Sequence, residues 1–141
     1  MKRNDPTIDR LRGVPLFSAC TREELELMSS RMTRVTFRAG EVLATEGAVG
    51  RELLVIVEGT ATVAVGAREV ARLGPGDFFG EVALLDDGPR TATVTADTDG
   101  VAEVASHAEF KSLLLDAPHL VRNLLTGLAR RLRAANLQLS S

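Results

Sequence analysis

The sequence predicts an α+β, mainly β fold, in which helices precede and follow about eight antiparallel strands. Three observations support this fold class. Apolar residues at helical spacing are confined to the two ends of the chain, short runs of alternating apolar and polar residues fill the middle, and glycine-rich turns separate those runs at nearly regular intervals. Many short strands with such turns are typical of an antiparallel roll or sandwich.

Residues 1–31 are predicted to be helical. Pro6 to Arg12 can form a short helix that ends at Gly13. Thr21-x-x-Glu24 is a capping box, in which each side chain accepts a hydrogen bond from the backbone N–H of the other residue. We therefore expect a second helix after Thr21, with an apolar face that fills the core: Leu25, Met28 and Met32.

Residues 32–105 are predicted to form the strands, because the apolar pattern there changes to a period of two. Gly66-Ala67 and the cluster from Gly74 to Asp77 are typical of tight turns. The expected strands are residues 35–37, a short segment at Val42, and residues 53–57, 61–65, 69–73, 91–95 and 101–104.

Residues 106–139 are predicted to be helical again. Ser106-x-x-Glu109 is a second capping box, and Pro118 ends this helix and begins the last one. The last helix carries an apolar stripe: Val121, Leu125, Leu128, Leu132, Ala135 and Leu139. The stripe either packs on the domain's own strands or forms a seam with a partner or over a pocket, and its spacing fits both. Gly127 inside this helix fits a close approach or a bend.

Length and composition predict one domain over residues 1–141, with 45% hydrophobic and 26% charged residues, as in soluble globular proteins. No apolar run reaches the roughly 20 residues of a membrane helix, and the polar start at residues 1–9 is unlike a secretory signal, so we expect a cytoplasmic protein. The single cysteine, Cys20, cannot form an intramolecular disulfide. The net charge of −2 gives no general attraction to nucleic acid.

The stretch from Phe78 to Val94 combines groups that suit a sugar phosphate. Gly80 allows a close approach of the backbone, Arg90 offers a planar fork for a phosphate, and Glu81 can accept a hydrogen bond from a sugar hydroxyl. A helical turn at residues 81–85 would point free N–H groups at an anion. The spacing alone also fits a surface Glu81–Arg90 ion pair worth under about 1 kcal/mol.

The motifs resemble those of the cyclic nucleotide-binding domain family, which includes catabolite-activator-type transcription factors, cyclic-nucleotide-dependent kinases and cyclic-nucleotide-gated channels. Residues 79–85, followed by Pro89-Arg90-Thr91-Ala92, are similar to the family's phosphate-binding cassette. The resemblance extends over nearly the whole chain, with further similar segments at residues 40–43, 46–47, 56–59, 73–78 and 129–132. The resemblance implies an eight-stranded, jelly-roll-like β-roll with N-terminal helices and C-terminal B and C helices.

The resemblance also implies roles for matching residues. Glu81 would accept from the ribose 2′-hydroxyl, and Arg90 would neutralise the cyclic phosphate. The ribose-phosphate site would comprise Gly80, Glu81, Val82, Ala83, Arg90 and Thr91, in part through backbone N–H groups. The base pocket and its lid would comprise Val63, Val70, Ala71, Arg131, Ala135 and Asn136.

Departures from the family pattern concern the base. Ala135 and Asn136 stand where catabolite activators carry hydroxyl residues that bond adenine, and the hairpin at Gly66-Ala67 is short. A threonine at the position of Thr91 occurs in family members that bind cyclic AMP and in others that bind cyclic GMP. The resemblance therefore implies cyclic AMP or cyclic GMP as ligand, with no metal and no further cofactor.

Three functions from different classes follow as hypotheses. The first is a stand-alone, non-catalytic regulatory domain that moves its C-terminal helix when it binds a cyclic nucleotide, acting on an effector protein or as a homodimer, without membrane or DNA contact. The second is an interaction or dimerisation module of the same fold without a nucleotide. The third, a jelly-roll enzyme, is disfavoured because the only two histidines, His107 and His119, fall at predicted helix starts and do not form a metal-ligand set on strands.

Overall fold

The computed structural model describes residues 6–50, 52–80 and 89–140, and for residues 6, 7, 10, 131 and 135–140 it describes the backbone alone. The N-terminal segment forms helix α1 (Pro6–Arg12), a 3-10 turn (Pro15–Phe17) and helix α2 (Arg22–Arg31). Both hydrogen bonds of the predicted capping box are present, from the Glu24 N–H to Thr21 Oγ1 at 3.1 Å and from the Thr21 N–H to Glu24 Oε1 at 2.9 Å. Leu25, Met28 and Met32 are buried, as predicted.

The middle of the chain forms eight strands within the described residues, which confirms the predicted fold class. The strands are β1 (Thr33–Phe37), β2 (Val42–Ala44), β3 (Glu52–Glu58), β4 (Ala61–Val65), β5 (Arg68–Leu73), β6 (Phe78–Phe79), β7 (Thr93–Ala96) and β8 (Gly100–Ser106). They form two antiparallel four-stranded sheets, sheet 1 with the order β1-β8-β3-β6 and sheet 2 with the order β2-β7-β4-β5.

Sheet 1 separates two apolar cores. Leu53, Val55 and Val57 on β3 pack against the helices, whereas Leu54 and Ile56 on the same strand face sheet 2 and fill the interior of the roll. This arrangement follows from the two-residue period of a strand, in which successive side chains project to opposite faces. A strand buried on both faces reads as a continuous apolar run, as residues 53–57 do.

Strand β6 is two residues long and lies at the edge of sheet 1, where it pairs with β3 through Val55↔Phe78 and Leu54↔Phe79. Its two side chains project to opposite faces. Phe78 belongs to the core under the helices, and Phe79 belongs to the interior of the roll. The segment that ends at Gly80 therefore touches both cores.

The predicted strand at residues 91–95 begins later, at Thr93. The reason lies in the backbone of Arg90, whose N–H donates to Ala48 O at 2.9 Å and whose carbonyl accepts from the Gly47 N–H at 2.8 Å. The backbone at Arg90 is therefore bonded to the loop between β2 and β3.

Two helices follow the strands, α3 (His107–Asp116) and α4 (Pro118–Ser140). The second capping box is present, with Ser106 N–H to Glu109 Oε1 at 2.8 Å and Glu109 N–H to Ser106 Oγ at 3.2 Å. Among the described helices, none is long and apolar enough to cross a membrane.

The predicted apolar stripe on α4 divides between two environments. The helix is anchored by Leu120 and Leu124, with exposed fractions of 2% and 5%, and Leu128 packs partly against the same core. Leu125 and Leu132 are 60% and 64% exposed. Packing of the whole stripe on the domain's own strands is therefore the wrong interpretation for these two residues.

Gly127 marks a close approach of α4 to β6. A Cβ atom at Gly127 would lie 3.0 and 3.1 Å from two ring carbons of Phe78, tighter than ordinary contact. The helix runs unbroken from Pro118 to Ser140. The close approach, one of the two interpretations of Gly127, thus accounts for the glycine.

Candidate functional site

The site is built around Arg90, whose main chain the β2–β3 loop holds through the two hydrogen bonds to Gly47 and Ala48. The side chain then extends toward the start of β3, where Nη1 donates to Glu52 O at 3.2 Å. An arginine fixed at its backbone and at one nitrogen has fewer orientations open to its guanidinium, so less conformational entropy is lost when it binds an anion.

Gly80 lies directly beside this guanidinium. A Cβ atom at Gly80 would contact the Glu52 carbonyl and lie 2.6 Å from Arg90 Nη1. Gly80 also has a φ of 99°, in the left-handed region that favours glycine. The packing against Glu52 and Arg90 and the left-handed backbone angle are therefore two reasons for glycine at this position, and the close approach of its backbone to a ligand stays a prediction.

The structure thus brings together Gly80 and Arg90 from the predicted ribose-phosphate set, and exposed Thr91 follows Arg90 directly. Glu81, Val82 and Ala83 lie outside the described residues, so their roles stay predictions.

Sequence reasoning did not assign the residues that hold Arg90. They are Gly47, Ala48 and Gly50 in the β2–β3 loop and the carbonyl of Glu52. The two glycines of this short loop were a visible signal. The sequence did not show what these glycines do, because they contact the Arg90 residue, about 40 positions later in the sequence.

The predicted base pocket falls on sheet 2. Val63 of β4 pairs with Ala71 of β5 on one side and with Val94 of β7 on the other. Directly opposite residues of antiparallel strands project to the same face, and Val63 and Val94 pack in the interior of the roll. Val70 falls at the register shift between the Val63 and Ala64 pairs and is half exposed.

The predicted lid residues lie in α4. For Arg131, Ala135 and Asn136 the structure describes the backbone alone, so their contact with a base stays a prediction. Earlier in the helix, Asn123 Nδ2 donates to Leu16 O at 2.7 Å and ties α4 to the 3-10 turn.

A surface cleft of about 470 Å³ lies where the 3-10 turn, the β5–β6 turn and α4 meet. Phe78 lines it, together with Asn123, Gly127 and Arg130. Because Phe78 faces the helices, the cleft opens on the face of sheet 1 opposite to the interior of the roll. Neither Arg90 nor Gly80 is among the residues that line this cleft, and the chain leads from Phe78 through β6 to Gly80.

Glu24 connects the start of α2 to the start of α4. Its carboxylate accepts hydrogen bonds from the Thr21 N–H at 2.9 Å, the His119 N–H at 3.1 Å and the His119 ring at Nδ1, 2.9 Å away. Burial by itself would raise the pKa of Glu24, but the hydrogen bonds from Thr21 and His119 and the charge of protonated His119 outweigh it and lower the pKa.

Cys20, His107 and His119 lie at or next to the starts of helices. Burial, and then the negative charge of Glu24, raise the pKa of the Cys20 thiol to about 11, which leaves it protonated and unreactive. His107 is the first residue of α3 and His119 the second of α4, as predicted for helix starts. No group of three or more His, Cys, Asp or Glu side chains in the described part of the chain is placed to hold a metal ion.

Residues 34–117 match the family model described as cyclic nucleotide-binding domain. The chain is 34% identical over 134 residues to the Cyclic AMP receptor protein of Thermus thermophilus, and the match covers 92% of this chain and 62% of that relative. It is 34% identical over 112 residues to a cAMP-dependent protein kinase regulatory subunit of Hypocrea atroviridis, covering 79% of this chain and 24% of that relative.

A solved structure agrees with these matches. The crystal structure of the Thermus thermophilus catabolite activator protein superposes with a TM-score of 0.80 at 33% identity, covering 89% of this chain and 62% of that chain. The chain thus spans less than two thirds of the length of each of these relatives.

Proposed function

Because this chain belongs to the cyclic nucleotide-binding domain family, as its motifs predicted, we propose that it is a non-catalytic regulatory domain of signal transduction that binds cyclic AMP. Cyclic GMP is the alternative ligand. The observation that carries the proposal is the placement of Arg90 beside the glycine of the cassette. There, a loop holds its backbone and the Glu52 carbonyl orients its guanidinium.

The chemistry of this arrangement suits a cyclic phosphate. Such a phosphate carries one negative charge on two free oxygens, and a planar guanidinium can bond both. Gly80 permits a close approach of backbone N–H groups to the same oxygens. Glu81 would accept from the ribose 2′-hydroxyl, and Val63 and Ala71 on the interior face of sheet 2 would line the base.

Movement of α4 on ligand binding is part of the proposal. The helix contacts Phe78 of β6 through Gly127, and β6 leads directly into Gly80. A ligand shifts such a helix only if it binds two arrangements with different affinities. The proposed output is an altered contact of α4 with an effector protein or with a second copy of the chain.

Calorimetric titration tests the proposal. Cyclic AMP, cyclic GMP and 5′-AMP, which lacks the cyclic phosphate, are titrated into the wild type, Arg90→Ala and Arg38→Ala. Hydrogen bonds to charged groups contribute about 1.5–3 kcal/mol, so Arg90→Ala is expected to weaken cyclic AMP binding about tenfold or more. Arg38 is an exposed arginine elsewhere on the surface and serves as the matched control.

Two results would contradict the proposal. One is the absence of both heat and a change in melting temperature at millimolar cyclic nucleotide. The other is an Arg90→Ala variant that binds as tightly as the wild type. Hydrogen exchange of the α4 amides with and without ligand tests the helix movement. Unchanged exchange would contradict the movement of α4 but not the binding of the nucleotide.

The alternative function is an interaction or dimerisation module without a nucleotide. One observation favours it, the exposure of Leu125 and Leu132 on one side of α4. Seven residues apart, they share a helix face and can form a seam with another helix.

The double variant Leu125→Glu/Leu132→Glu is expected to abolish a dimer in sedimentation analysis. Ala134→Glu is its control, because Ala134 is exposed and lies about two and a half turns after Leu125, on the opposite side of the helix. A wild type that is monomeric at all concentrations contradicts a dimer.

A further inference from the structure

Gly50 lies in the loop between β2 and β3, and the Arg90 side chain fills the space where a side chain at Gly50 would be. A Cβ atom there would contact Arg90 Nε and lie 2.8 Å from Cζ and 2.9 Å from Nη2. No real Cβ packs this tightly, so a residue with a side chain at position 50 would displace the guanidinium.

The backbone at Gly50 does not by itself require glycine. Its φ lies outside the left-handed region, in contrast to Gly47 and Gly80 at 82° and 99°. Another residue could adopt this backbone without strain. The contact with the arginine is therefore the reason for glycine that the structure gives.

We propose that Gly50 is a positioning residue, which leaves open the space that the Arg90 guanidinium needs in order to face a phosphate. The inference rests on the proposed function, because it names the residue that sets the geometry of that site. Gly50 itself would not touch the nucleotide.

The surroundings determine what a side chain at position 50 would change. The main chain of Arg90 is bonded on both sides to Gly47 and Ala48. The atoms that face Gly50 belong to the end of a flexible side chain. A methyl group is therefore expected to move the guanidinium away from Glu52 O and Gly80 while the fold persists.

The test is a double-mutant cycle read by calorimetric titration with cyclic AMP. Gly50→Ala is expected to weaken binding about tenfold, the loss of a charged hydrogen bond, with little change in the melting temperature of the ligand-free protein. In an Arg90→Ala background it is expected to have no further effect, because the displaced group is gone. Gly74→Ala is the control, since a Cβ there meets nothing within 4 Å and its φ is not left-handed.

The outcomes separate this inference from the proposed function. A Gly50→Ala variant that binds as tightly as the wild type overturns the inference, as does one that weakens the Arg90→Ala variant by the same factor. A folded wild type that binds no cyclic nucleotide overturns the proposed function. In that case the NMR signal of Arg90 Nε–H, assigned by its loss in Arg90→Ala, decides the positioning. It is expected to shift in Gly50→Ala and not in Gly74→Ala, and an unshifted signal overturns the inference.

Discussion

Replacement of Glu24 by Gln is expected to destabilise the protein by about 2–3 kcal/mol. The carboxylate accepts three hydrogen bonds through two oxygens, and the glutamine amide keeps one oxygen. If that oxygen faces Thr21 N–H and His119 Nδ1, the amide NH₂ faces the N–H of His119, and two donors oppose each other. A hydrogen bond to a charged group contributes about 1.5–3 kcal/mol, and the remaining bonds lose their charge assistance. The smaller penalty for burying a neutral group offsets part of this loss.

Urea unfolding followed by circular dichroism at pH 7 measures the effect as a change in the free energy of unfolding. Glu26→Gln on the same helix is the matched control. Glu26 makes an exposed ion pair with Arg22 at 3.6 Å, and such a pair contributes about 0.3–0.5 kcal/mol. Equal losses of unfolding free energy in the two variants would refute the reasoning, because the burial of Glu24 and its three hydrogen bonds would then add nothing to the stability.

The pH dependence supplies a second test with a defined sign. The folded state lowers the pKa of Glu24 below its usual value of 4.5, so the unfolded chain takes up a proton first as the solution is acidified. The contribution of Glu24 is complete above pH 4.5 and is lost as the pH falls through the folded-state pKa. The stability difference between the wild type and Glu24→Gln should therefore shrink in that acid range, and a difference that grows there would contradict the assignment.

Two further predictions concern α4. Leu124→Ala is expected to destabilise the protein by about 2–5 kcal/mol, whereas Leu125→Ala, at its exposed neighbour, is expected to cost under about 1 kcal/mol. Urea unfolding measures both values, and similar values would contradict the assignment of Leu124 to the buried face of α4. Gly127→Ala should not yield the full gain of about 1 kcal/mol that helix propensity alone predicts, because the new methyl group would press on Phe78. Measurement of the full gain would show that the helix does not approach β6 this closely.

Local signals predicted the helices and most of the strands, but not the two-residue strand β6. Both capping boxes begin a helix at the residue predicted, since a capping box depends on two side chains three positions apart. The apolar run at residues 53–57 predicted a strand, and β3 covers it.

Features that depend on contacts between distant parts of the chain could not be predicted from the sequence. The spacing of the stripe on α4 fitted two environments and could not choose between them, and it did not indicate the buried anchors Leu120 and Leu124. Glu24 was visible as a cap of α2, but its second partner, His119, is 95 positions away. The reason for glycine at position 50 is its contact with Arg90, which is 40 positions away in the sequence.

The short edge strand β6 has a mechanical consequence. Within the described sheets it is hydrogen-bonded to β3 alone, so its displacement leaves the pairing of the other seven strands intact. Those strands can act as a stiff frame while two phenylalanines on opposite faces move together, because they share one backbone. A shift of Phe79 inside the roll would therefore be passed through one backbone to Phe78 under the helices. Two adjacent residues of an edge strand thus link the two cores of the domain.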